Sequence, residues 1–181
     1  MRYKSKSLLV WMGLILALLV PLSVTAQEPA PDVRNGKWIA GADIGVIFAT
    51  ADDEAFGMNY YGDYYFNQNV SIGPLVQFGF TGDLFQFGPS AQIKYTMDID
   101  NRWKAHAQVG LGFIYANFRR PGSNNNEDDT SLLMPIGAGI EYRFTSKLSA
   151  GGTVIANIMD LNSVRGENFS LSFLGGLKWR F

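Results

Sequence analysis

Eight segments of this chain alternate apolar and polar residues with a period of two, and in all eight the apolar set contains no Lys, Arg, Asp or Glu. A period of two belongs to β-strands. A strand of a soluble sandwich or barrel turns a polar, usually charged, face to water, so eight charge-free apolar faces call for a different solvent. The last thirteen residues, Phe169 to Phe181, show the pattern most cleanly. Phe181, Trp179, Leu177, Gly175, Phe173, Leu171 and Phe169 share one face, and Arg180, Lys178, Gly176, Leu174, Ser172 and Ser170 share the other. Such a strand exceeds the usual soluble length of about 5–6 residues and suits a tilted bilayer crossing of about 9–11.

The other segments are Trp38–Phe48, Met58–Phe66, Val70–Phe80, Leu84–Met97, Trp103–Tyr115, Leu132–Phe144 and Leu148–Ile158. Their charged residues, with those of the last strand, fall on the polar register: Asp43, Asp63, Lys94, Lys104, Glu141, Arg143, Lys178 and Arg180. Apolar outside and polar inside is the arrangement of a membrane barrel, and hydrocarbon tolerates no open sheet edge. The expected fold is all-β, an eight-stranded antiparallel up-and-down transmembrane barrel. Tyr60, Tyr61, Tyr64 and Tyr65 blur the second strand, although Asp63 fixes its inner register. Pro74 removes a ladder donor, for which a bulge would compensate. Asp52 to Glu54 and Arg119 to Thr130 read as polar loops, the latter without regular structure. Short turns after even-numbered strands and longer loops after most odd-numbered ones place the former in the periplasm and the latter outside.

The first 26 residues read as an export signal, with basic Arg2, Lys4 and Lys6, an apolar run Leu8–Val20, and Val24-Thr25-Ala26 before the expected cleavage site. A spanning helix would need about 20 apolar residues. Residues 27–36 are Pro-rich and polar, a short flexible periplasmic lead-in, and residues 37–181 form the barrel. Removing the three basic residues of the signal leaves 12 Lys and Arg against 16 Asp and Glu, a formal charge of −4, which is no nucleic-acid footprint. The absence of cysteine excludes disulfides and thiolate metal sites. A mean hydropathy of +0.01 is what polar lumen positions produce when averaged with lipid-facing ones.

On these residues the chain resembles the small eight-stranded outer-membrane barrel family of Gram-negative bacteria, which includes the membrane domain of outer membrane protein A and outer membrane protein X. The resemblance implies residence in the outer membrane, contact with lipid and lipopolysaccharide, and a monomer. It also implies that the alternating Leu177, Trp179 and Phe181 at the C-terminus are the signal read by the barrel-assembly machinery. An eight-stranded barrel is just wide enough for its side chains to fill it. The charges Asp43, Asp63, Lys94, Glu141, Arg143, Lys178 and Arg180 are therefore expected to pair as a salt-bridged plug, with Asp43 and Glu141 opposite Lys178 and Arg180. The alternatives are a narrow porin-like channel through the same residues and a lipid-A-modifying enzyme using the sole histidine, His106. Gln108 stands where the deacylase pattern His-x-Ser would place serine. The acidic runs Asp52–Glu54 and Glu127–Asp129 lack the spacing of a formed metal loop and read as solvated charge. Gly36-Lys37-Trp38 matches the lipocalin start, but lipocalins have the inverse polarity. The expectation is a non-enzymatic structural or surface-interaction protein without cofactor or metal, its external loops meeting an unidentified partner.

Overall fold

The computed structural model describes residues 33–50, 53–119, 126–161 and 167–181. Eight strands close into a barrel in sequence order: β1 Trp38–Thr50, β2 Asp53–Tyr65, β3 Val70–Phe80, β4 Leu84–Asp98, β5 Trp103–Arg119, β6 Asn126–Arg143, β7 Leu148–Leu161 and β8 Glu167–Arg180. Every neighbouring pair is antiparallel, and β8 closes on β1. At the seam Ala40 faces Trp179 and Ala42 faces Leu177, while the Phe181 amide donates to the Trp38 carbonyl at 3.0 Å. The expected all-β fold and strand number are therefore present.

The register sets the width. Paired residues traced round the wall, Trp38, Tyr64, Ile72, Ile93, Val109, Ile136, Ala156, Leu171 and Phe48, return to β1 ten positions beyond the start. With a rise of about 3.3 Å per residue and strands about 4.8 Å apart, that offset gives a tilt of roughly 40° and a backbone radius of about 8 Å. Side chains of ordinary length meet at the centre of such a tube.

Several strands run further than their charge-free faces suggest. β1 continues past Phe48 to Thr50 through a register shift between Ile47 and Thr50, and Ala49 and Asp53 both take positive φ, 59° and 64°. The segment read as an acidic loop is instead mostly strand: Asp53 and Glu54 open β2, and only 51–52 lie outside the described residues. β5 and β6 pair out to Arg119 and Asn126, so Arg119 and 126–130 of the segment expected to lack regular structure are strand, and 120–125 lie outside the described residues. Hydrogen bonds between strands outweigh a polar composition there, because only the lipid band demands apolar side chains. The loop-length signal for orientation weakens accordingly. The terminal end, where β1 begins and β8 finishes, has turns at 66–69, 99–102 and 144–147, and the opposite end has connections at 51–52, 81–83, 120–125 and 162–166.

Pro74 produces no bulge. Its ladder with β4 is continuous through Pro74–Ala91, and the pairs with β2 resume from Tyr61–Leu75 to Tyr64–Ile72 in unchanged register. Two pairs drop out of the ladder with β2 around the proline, and the sheet accommodates the gap without shifting. The signal segment and residues 27–32 lie outside the described residues. Of the lead-in, residues 33–36 are held against the terminal end of the barrel. Arg34 is wholly buried, with its Nε donating to the Gln68 carbonyl at 2.6 Å and its guanidinium on Asp98 at 3.0 Å.

Candidate functional site

The alternation that builds the wall also fills the lumen. Asp43 and Ile47 of β1, Asn59, Tyr61, Asp63 and Tyr65 of β2, Gln92, Lys94 and Thr96 of β4, and Lys104, His106 and Gln108 of β5 all project inward and are buried. On the lipid side, Trp38, Ile44, Ile93, Leu111, Phe113, Ile140 and Leu177 are exposed. Rings line both rims. At the terminal end Trp38 meets Tyr64 at 5.3 Å and Trp103 meets Tyr142 at 5.1 Å. At the loop end Phe48 meets Phe173 at 5.7 Å and Phe80 meets Phe85 at 5.6 Å.

Three carboxylates, Asp43, Asp63 and Glu141, and three ammoniums, Lys94, Lys104 and Lys178, are buried in the lumen. Lys94 Nζ donates to Asp63 at 2.6 Å, and Gln92 donates to the other oxygen of the same carboxylate at 3.0 Å. Lys178 Nζ donates to Glu141 at 2.6 Å, with Lys104 3.8 Å from the second Glu141 oxygen and the Ser149 hydroxyl donating to it at 3.4 Å. Tyr61 joins the two halves. Its hydroxyl donates to Asp43 at 3.3 Å, and its ring receives Lys94 at 4.3 Å and Lys178 at 5.9 Å. Buried ions are tolerated on these terms, paired and with their remaining donors and acceptors engaged.

Of the residues named from sequence, Asp63 meets Lys94 and Glu141 meets Lys178 and Lys104. Asp43 is bonded by Tyr61 rather than by a cation, and Arg180 donates to the Ser146 carbonyl at 3.3 Å. Arg143 donates to the Asn101 carbonyl at 2.7 Å, at the terminal mouth. His106 is buried, with Thr153 3.4 Å from its Nε2 and no hydrogen-bond partner at Nδ1 among the described residues. Gly139 leaves room for its ring, since a β-carbon there would collide with it. Among the described residues no group of acidic, His or Cys side chains is placed to hold a metal.

Sequence reasoning passed over Tyr61, Gln77 and Asn157. Tyr61 lies two residues before Asp63 on a strand, so the register that turned Asp63 inward also turned Tyr61 inward. Gly41, on the neighbouring strand, has no side chain where the Tyr61 ring lies. Gln77 of β3 and Asn157 of β7 exchange amide hydrogen bonds at 3.2 and 3.3 Å. Those strands are diametrically opposite, so the pair crosses the lumen. Nearer the loop end the interior becomes apolar, where Leu84, Ile114, Ala116, Phe118, Leu133, Met159 and Leu161 form one buried cluster.

Comparison with protein families matches residues 12–181 to the outer membrane protein beta-barrel domain. The chain belongs to that family. Membership places this outer-membrane barrel in the bacterial outer membrane. A search of curated protein sequences finds no significant match. Among solved structures, the barrel is similar to Neisserial surface protein A, at 15% identity and a TM-score of 0.65, covering 81% of this chain and 98% of that one. It is also similar to the N-terminal β-barrel domain of OprF from Pseudomonas aeruginosa, at 16% identity and a TM-score of 0.62, covering 81% and 98%. Ail, the attachment invasion locus protein of Yersinia pestis, aligns at 15% identity and a TM-score of 0.57, covering 81% and 99%. At these identities the likeness is one of fold.

Proposed function

We propose that this barrel is a closed, non-enzymatic outer-membrane protein that acts through its loop end, delivered by a cleaved signal peptide and folded by the barrel-assembly machinery. The observation that carries the closed lumen is the Gln77–Asn157 pair spanning opposite strands. The salt-bridged floor toward the terminal end and the apolar cluster toward the loop end support it from both sides, since an apolar constriction resists water and ions. The terminal end faces the periplasm in this reading. Its three four-residue turns, the start of β1, the end of β8 and a ring of Trp and Tyr all lie there.

The loop end supports a surface-interaction role. β5 and β6, of 17 and 18 residues, outrun the other strands, and among the described residues no ladder pair joins β6 to β7 on the N-terminal side of Met134. Exposed Asp128 and Asp160 support the reading that this part stands in water and meets lipopolysaccharide or a partner molecule. Conductance in planar bilayers tests the closed lumen: purified protein should show no stable single-channel steps, and steps abolished by substitutions at Lys94 or Glu141 would replace the plug with a narrow channel. Lipid A of unchanged mass after deletion of the gene is expected for a non-enzymatic protein.

A further inference from the structure

The wall is not uniformly bulky on its lipid side. From β2 to β4 the lipid-facing surface carries large side chains such as Tyr60, Phe78, Phe87 and Ile93 around one row of smaller residues, Gly62, Pro74 and Ala91. Across β4 to β8, by contrast, two successive rows of paired residues run Met97–Ala105–Ile140–Gly152 and Ala107–Ala138–Val154–Phe173. The small members sink below their neighbours and leave a groove of about 840 Å³ bordered by Met97, Ile140, Val154 and Phe173. That volume falls in the range of small-molecule sites, and at this depth its surroundings are hydrocarbon.

Toward the terminal rim, beyond the groove's lining, an aromatic pair stands next and a cation is held in place past it. Trp103 and Tyr142 pair across β5 and β6 just below Ala105 and Ile140, with their rings 5.1 Å apart. Phe144 packs on Tyr142 from the other side at 5.2 Å. The Arg102 guanidinium donates to the Tyr142 hydroxyl at 2.8 Å, which keeps the charge at the level where the aromatic girdle stops. Exposed Lys147 stands in the next turn, between β6 and β7, and its carbonyl accepts the Arg180 amide at 2.9 Å.

An apolar groove with an aromatic rim and interfacial cations beyond it matches one ligand chemistry, an acyl chain joined to a phosphate. We infer that the outer wall of β5–β7 is a binding site for a single glycerophospholipid, its acyl chain in the Ala105–Ala107–Ala138–Gly152 groove and its headgroup phosphate on Arg102 and Lys147. Charge complementarity selects this occupant over a second copy of the chain. A self-associating wall would gain nothing from a positive rim facing the same rim on its partner.

Native mass spectrometry of the protein released from lipid nanodiscs into mild detergent measures the bound fraction directly. The wild type should retain one phospholipid per barrel. Ala138→Leu, which fills the groove from the lipid side, and Arg102→Gln, which removes the charge, should each lower the retained fraction at least threefold. Ala91→Leu, exposed on β4 outside the groove, should leave it unchanged, and heat-dependent gel mobility verifies that each variant is folded. Equal retention by wild type, Ala138→Leu and Arg102→Gln overturns the site. So does a dimer captured by a cysteine introduced at Ala138, which is unambiguous in a chain with no cysteine of its own. Because the readout is lipid retention, it stands apart from the conductance that tests the closed lumen.

Discussion

Replacing Asp63 by alanine isolates the question of whether the lumen is dry. Lys94 lies 2.6 Å from the Asp63 carboxylate, and both residues are 3% exposed or less. At an effective dielectric of about 20, two charges at that distance attract by about 6 kcal/mol, and in bulk water by about 1.6 kcal/mol. In a packed lumen most of the larger figure offsets desolvation of several kcal/mol per ion. Removing the carboxylate leaves the ammonium with the Tyr61 ring alone among the contacts described above, so Asp63→Ala should cost about 3–5 kcal/mol. Urea unfolding of the barrel in lipid vesicles, followed by tryptophan fluorescence, measures the loss. The double variant Asp63→Asn with Lys94→Met removes both charges and should return to within about 1.5 kcal/mol of wild type. A loss under about 1 kcal/mol for Asp63→Ala, the size seen for a solvated pair, would mean that water reaches Lys94 and that the plug argument fails.

Three further outcomes follow from the same geometry. Gln77→Leu should cost about 1–3 kcal/mol by leaving the Asn157 amide without its cross-lumen partner, and adding Asn157→Leu should recover part of that in the same unfolding assay. Gly41→Val would drive a side chain into the space of the Tyr61 ring, costing about 1–3 kcal/mol or more, whereas Gly62→Val, open on the lipid side save for a distant Trp38 ring atom, should be far milder. Asp100 accepts hydrogen bonds from the Arg102 and Trp103 amides at 2.6 and 2.7 Å, which holds its carboxyl below the usual range. A depressed folded-state value stabilises the turn above the unfolded value of about 3.9 and loses that contribution as pH falls through the folded one. The protection factor of the Trp103 amide, its exchange rate measured against the intrinsic rate at each pH, should therefore fall at acidic pH in wild type and already be low in Asp100→Ala.

The fold was legible because each solvent leaves its own mark on a strand. The eight charge-free faces report the hydrocarbon, so they located the staves and their inward sets, including Asp63, Lys94 and Glu141. They could not report strand ends. β5, β6 and β7 continue into water as Arg119, Asp128 and Asp160 on the same outer register, and a rule that required an uncharged face stopped short of them. Arg34 escaped for a related reason. Composition makes Pro-rich polar sequence look mobile, but nothing local in PDVRNG reveals that its arginine will find Gln68 in a turn and Asp98 at a strand end, 34 and 64 residues away.

Partner choice inside the lumen was less legible because it depends on stagger. The ten-residue offset round the barrel lifts each stave relative to the last, so residues equally far from their strand ends do not lie at one height. Counting from the ends made Asp43 a candidate for Lys178 or Arg180. The register instead sets Asp43 opposite Gly176 and Lys178 opposite Gly41, one step apart along the strand, and Lys178 reaches across β7 to Glu141 on β6. The glycines complete the logic. Gly41, Gly139 and Gly176 stand where Tyr61, His106 and Asp43 need room, so a bulky inward group beside an inward glycine is readable from the register once closure is known. Applied to the outer face, the same rule locates the Ala105–Ala107–Ala138–Gly152 hollow. There no side chain from a neighbouring stave fills the space that the small residues leave, and the occupant must come from the bilayer.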